Sequence, residues 1–159
     1  MRKEIPMQQV DCEVQPGYRP PAIDTGITIL PFSMLGDRDF ELLSYLLVKS
    51  EIEAGEHKEI SKIALMQGVA ERGRDCTLYK EDSVCGLIQC KKYAGRVTRP
   101  QLIKEIVKFL LFSILDKSLL PDPNTFEYKI YVSNDLTEPA SVLIQSFDKE
   151  ITSEISSGA

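Results

Sequence analysis

The feature that most constrains this chain is a short polar tip, Glu81-Asp82-Ser83, set between two apolar-rich arms. Such a pattern predicts a β-hairpin with arms Asp75 to Lys80 and Val84 to Lys91, although its tip has no Gly. With Asp82 at the centre of the turn, Lys80 faces Val84 and Asp75 faces Gln89. Strand side chains alternate, so Lys91 shares a face with Gln89 while Ile88 and Cys90 point the other way. A slip of one residue would turn every side chain of one arm over. In the expected register a carboxylate, a carboxamide and an ammonium gather beside an apolar wall. Asp75 and Gln89 offer oxygen to a hard ion such as Mg²⁺, and the backbone carbonyl of Cys90 is a further candidate ligand. Lys91 could orient a water and offset charge developing on a phosphate. A surface hairpin with scattered charges is the competing reading of the same residues.

Gly73-Arg74-Asp75, followed by Gln89-Cys90-Lys91, resembles the catalytic signature of the Mrr-like branch of the PD-(D/E)XK restriction-endonuclease superfamily. In that branch Gln often replaces the acidic residue of the second half-motif. The resemblance runs from about Leu30 to about Phe147. It implies an α/β fold of the restriction-endonuclease-like kind, a mixed central sheet flanked by helices. It implies a Mg²⁺-dependent DNA endonuclease, with Mn²⁺ as a substitute ion. Asp75 and Gln89 would ligate the metal and Lys91 would position the attacking water. Leu30-Pro31-Phe32, then Asp39 to Leu43, is similar to the family's first helix, which implies that Glu41 reaches the metal site. A first-turn charge favouring the helix dipole is an equal account of Glu41. The resemblance also makes Lys92, Arg96, Arg99 and Lys104 candidate contacts to double-stranded DNA, against the plainer reading of surface cations. Related domains often head larger defence proteins, which implies a role against foreign DNA and a homo-oligomer or multidomain setting. The alternative is an inactive nucleic-acid-binding or assembly domain of the same fold.

The chain has 159 residues, enough for one domain with a substantial core, and its 43% apolar share is ordinary for a globular protein. Its net charge of −5 does not advertise nucleic-acid binding. Between Glu71 and Lys108, however, nine cations stand against five anions, and local charge governs phosphate attraction. Cys12, Cys76, Cys85 and Cys90 match no zinc spacing. Cys76 and Cys90 fall on the apolar face of the hairpin, where a free thiol behaves as a small hydrophobe. No apolar leader and no run of ~18 apolar residues is present, so a cytoplasmic protein without a membrane span is expected. A single histidine, His57, excludes a catalytic His pair.

Residues 1–30 carry Pro6, Pro16, Pro20 and Pro21, which predicts an extended arm, with Ile27 to Leu30 either docked on the core or mobile. The nuclease-like domain is expected over 31–152. A helix is predicted from Asp37 as N-cap to Glu53, burying Phe40, Leu43, Leu47 and the Leu46/Ile52 edge. Ile60 to Met66 is ambiguous, with a strand favoured, and Gln67 to Arg74 is expected to be a loop. A second helix starts at Thr98, whose capping box uses Gln101, and its stripe is Ile103, Ile106, Val107, Leu110 and Ile114. Phe109 to Leu115 is apolar nearly all round and implies burial on two sides or a subunit contact. Glu127 to Ser133 alternates as a strand, and a last helix starts at Thr137 and continues through Ile151. Residues 153–159 are expected to fray.

Overall fold

The computed structural model describes residues 4–14, 32–66 and 73–157. The expected docking of Ile27 to Leu30, and most of the Gln67 to Arg74 loop, lie outside these residues. Four strands form one mixed sheet in the order β1 (Lys62–Leu65), β2 (Cys76–Lys80), β3 (Ser83–Lys91) and β4 (Glu127–Val132). The first three are mutually antiparallel, and β4 runs parallel to β3. A parallel neighbour needs a crossover, here made by α3 (Arg99–Leu115). Helices α1 (Met7–Val14) and α2 (Asp37–Glu53) pack on one face of the sheet. Helix α3 and the short α4 (Glu138–Gln145) cover the other, and α5 (Phe147–Ser157) follows after a break at Ser146. The mixed sheet flanked by helices is thus the expected architecture in its coarse form.

Strand alternation divides the core. Ile63, Leu65, Cys76, Leu78 and Ile88 face α1 and α2, whereas Leu87 faces Phe109 of α3 and Leu119 beyond it. Central β3 is covered on both sides, which explains its consecutive buried residues Leu87, Ile88 and Gln89. Burial of each large side chain here contributes about 1.5–3 kcal/mol.

Several local expectations are corrected. The Pro-rich start is not wholly extended: α1 fits between Pro6 and Pro16, with the Pro6 carbonyl accepting from Gln9 and Val10, and it buries Val10. Proline at a helix start loses no needed donor. Helix α2 keeps its predicted bounds, but its N-cap is Gly36, whose N–H donates to the Asp39 carboxylate (3.2 Å). Its buried face is Phe40, Leu42, Ser44, Tyr45 and Val48, while Leu43 and Leu47 face outward. Ser44 is tolerated inside because its hydroxyl donates to the Phe40 carbonyl (2.8 Å). Helix α3 turns Leu102, Phe109 and Ser113 inward, and the expected members Val107, Leu110 and Ile114 are exposed. The last helix is two helices, and it remains helical to Ser157 where fraying was expected.

The hairpin is corrected in a way that matters for the site. Its turn is two residues long, not three: Lys80 pairs with Ser83, and Glu81 takes a positive φ of 54°. One extra residue on β3, beside Leu78/Tyr79, then shifts the register, so Leu78 meets Gly86 and Cys76 meets Ile88. The tight turn and the bulge offset each other. The lower hairpin therefore has the register the sequence predicted, although its tip does not.

Candidate active site

β3 outruns β2. Cys76, the first residue of β2, pairs with Ile88, so Gln89 to Lys91 are laddered only to β4. The vacated side is filled by Asp75. Its N–H bonds the Ile88 carbonyl (3.0 Å), although Ile88 is already the ladder partner of Cys76. Two residues opposing one is the arrangement of a β-bulge, which re-aims a side chain. The Asp75 carboxylate accordingly accepts from the Cys90 N–H (2.5 Å). A strand residue sends its N–H and C=O to the same side, so the Cys90 carbonyl is directed toward the Asp75 side as well.

This end of the sheet opens into a cavity of about 310 Å³ lined by Asp37, Phe40 and Glu41 of α2, with Asp75, Cys90, Lys91 and Lys92. Asp75 is the electrostatic centre. Burial pushes its carboxyl up to about 6; the Cys90 N–H opposes this, Glu41 adds to it, and Lys91 and Arg38 oppose it. Glu41 is held by Arg38 (3.0 Å), which also grips Glu13 of α1 (2.7 Å). Burial pushes the Cys90 thiol up to about 12, so it is no nucleophile at neutral pH.

Of the residues named from sequence, Asp75, Glu41, Cys90, Lys91 and Lys92 line this one cavity. Gln89 does not. It is 3% exposed and lies in a separate network: its amide nitrogen donates to Glu105 (3.2 Å) and its oxygen accepts from the Tyr128 hydroxyl. The same Glu105 oxygen meets the Lys91 ammonium at 3.3 Å. Lys91 thus joins the cavity to the buried network. Gly73 makes room for it, because a Cβ there would lie 2.4 Å from the Gln89 amide nitrogen. Among the cations, Lys92, Arg96 and Lys104 are exposed, whereas Arg99 is committed to Glu150 of α5 (2.5 Å).

Three residues of the site region were not singled out from sequence: Arg38, Glu105 and Tyr128. Glu105 is the only acidic residue in α3, a signal that a lone carboxylate beside an inward face could have given. Tyr128 has no local signal; its position depends on stacking against Phe109 (ring centroids 4.2 Å, 8°). Tyr128→Phe is expected to leave the Gln89 oxygen without its donor, at about 1–2 kcal/mol. A lower denaturant midpoint at unchanged m-value would show it; an unchanged midpoint would mean that water replaces the hydroxyl.

The oxygen donors suit a hard cation. Asp75, Glu41 and the Cys90 carbonyl qualify, and Mg²⁺ commonly keeps several waters. The amide oxygen of Gln89 is occupied by Tyr128 and lies outside this set. Among the described residues no three His, Cys, Asp or Glu side chains form a complete metal cage. No helix among them is long and apolar enough to cross a membrane. Fold and site together define a mixed α/β sandwich with a carboxylate-lined polar cavity at the end of its central strand. Comparison with protein-family models, curated proteins and solved structures finds no match to this chain.

Proposed function

We propose that this chain is a Mg²⁺-dependent DNA endonuclease of the Mrr-like PD-(D/E)XK kind, acting against foreign DNA as part of a larger assembly. The observation that carries the reading is the convergence of Asp75, Glu41, the Cys90 backbone and Lys91 on one polar cavity at the end of the hairpin. Asp75, Glu41 and the Cys90 carbonyl would hold the ion, which when bound supplies charge neutralisation at a phosphate. Lys91 lines the same cavity and its ammonium is paired with Glu105 (3.3 Å), so in this reading it would turn to the phosphate when DNA binds. Lys92, Arg96 and Lys104 supply exposed charge for the DNA backbone. The motif residues Gly73 and Gln89 act behind the cavity wall in this reading, as support for Lys91.

The test is nicking of supercoiled plasmid with Mg²⁺ or Mn²⁺, with and without chelator. Wild-type cleavage should require the ion, and Lys91→Met should lower the rate by about a hundredfold or more. Cleavage that survives chelation, or a Lys91→Met rate equal to wild type, would overturn the reading. The closed hydrogen bonding of Gln89 favours a second reading, a domain that retains DNA without cutting it. Salt-sensitive DNA retention without cleavage in either metal would establish that one instead.

A further inference from the structure

The two edges of the sheet are finished differently. Beside β1, Glu4 bridges to Met66 and the Ile5 N–H bonds the Leu65 carbonyl (3.0 Å), so the N-terminal segment covers that edge. Nothing among the described residues does this for β4. The Ser133 N–H bonds the Lys91 carbonyl (3.1 Å), which fixes the parity of the parallel ladder. Glu127, Lys129 and Tyr131 turn their peptide groups toward β3, and Tyr128, Ile130 and Val132 turn theirs outward. These outward groups have no backbone partner among the described residues. β4 has no proline and no bulge, and its two charged side chains, Glu127 and Lys129, pair with each other (2.9 Å). Alongside it runs a groove of about 550 Å³, lined on its apolar side by Leu102, Ile106, Ile130, Leu136, Ile144 and Phe147. Ile144 and Phe147 are exposed there.

We propose that β4 is a homodimer seam, pairing antiparallel with β4 of a second copy of this chain to make one continuous eight-stranded sheet. The strand's own order of side chains fits a second copy of itself. A two-fold axis at Ile130 pairs Ile130 with itself and Tyr128 with Val132, all on the face that lines the groove. The same register sets Lys129 beside Tyr131 of the second copy twice over, a cation against a ring. Moving the axis one residue to Lys129 would place two ammoniums opposite each other, a repulsive register. The Ile130-centred register uses every outward N–H and C=O of Tyr128, Ile130 and Val132. Such isologous pairing is self-complementary by construction. It needs no property of the candidate active site, so it stands or falls separately from the nuclease reading.

The experiment is hydrogen exchange on the wild-type chain, with mass measurement in solution across micromolar concentrations. A dimer is expected whose Tyr128, Ile130 and Val132 amides become protected as concentration rises. Val132→Pro removes one outward donor and none that β4 gives to β3, so it should weaken dimerisation by about tenfold or more. A chain that stays monomeric throughout would overturn the proposal. So would a dimer in which those three amides exchange as fast as in the monomer; that result would move the contact to the exposed apolar face of α3. If Val132→Pro fails to fold, the wild-type exchange pattern alone decides.

Discussion

Under the proposed nuclease reading, Asp75→Asn is expected to lower metal-dependent cleavage by about a thousandfold or more, and in any case to make the protein more stable at neutral pH. The two effects share one cause. Burial holds the Asp75 carboxyl at about 6, above its ordinary 3.8. A raised folded-state pKa means that the native protein keeps this proton longer than the unfolded chain does. Ionisation therefore works against folding. The stability that comes from the protonated form is fully present below about pH 4. It is lost as pH rises to about 6, and the penalty is constant above that. Asparagine keeps an acceptor for the Cys90 N–H and never ionises. Above pH 6 it should gain about 2–3 kcal/mol over the wild type. Thermal melts at pH 4 and pH 7.5 check this: the advantage should be present at the higher pH and vanish at the lower. Mg²⁺ should raise the melting temperature of the wild type and leave Asp75→Asn unmoved, since a ligand stabilises only the state that binds it. A destabilised Asp75→Asn at pH 7.5 would show that the charge is compensated in the native protein.

Gly73→Ala is expected to cost about 2–4 kcal/mol, with the loss falling on the candidate active site. Two penalties combine. Gly73 has φ of 84°, in the left-handed region, and its new Cβ would lie 2.4 Å from the Gln89 amide nitrogen. Gln89 can yield only by giving up Glu105 or Tyr128. Gly55→Ala is the control: its φ is 77°, but open space surrounds the added methyl. That variant should lose only about 1 kcal/mol. Urea unfolding of both separates the steric effect from the backbone effect. Equal losses at the two positions would show that Gln89 moves aside without cost.

The two misassigned helix faces have a common physical origin. Helix α2 was legible because Asp37, Asp39 and Glu41 mark its start and a polar stretch with Gly55 follows its end. Its buried face was not, because Leu42-Leu43 and Leu46-Leu47 place leucine on both sides. Only packing against β1 and β3 selects Leu42 and leaves Leu43 and Leu47 outside. Helix α3 failed in the same way, since Phe109 to Leu115 is apolar on nearly every side. Periodicity reports a face only when the opposite face is polar.

The candidate site shows the same division. Local chain chemistry was enough to place the hairpin, the capping of α3 by Thr98 and Gln101, and the nearness of Asp75 to Cys90 and Lys91. Those features depend on neighbours a few residues apart or on a single turn. The destination of Gln89 depended on Glu105 and Tyr128, which reach it from another helix and another strand. The aim of the Asp75 carboxylate depended on a bulge at the mouth of β2. Sequence by itself determined the hairpin, α2, α3 and β4, and which acid, amide and amine lie on one hairpin. Tertiary structure decided which of them share a cavity, because side-chain direction at a strand end follows from long-range pairing and packing.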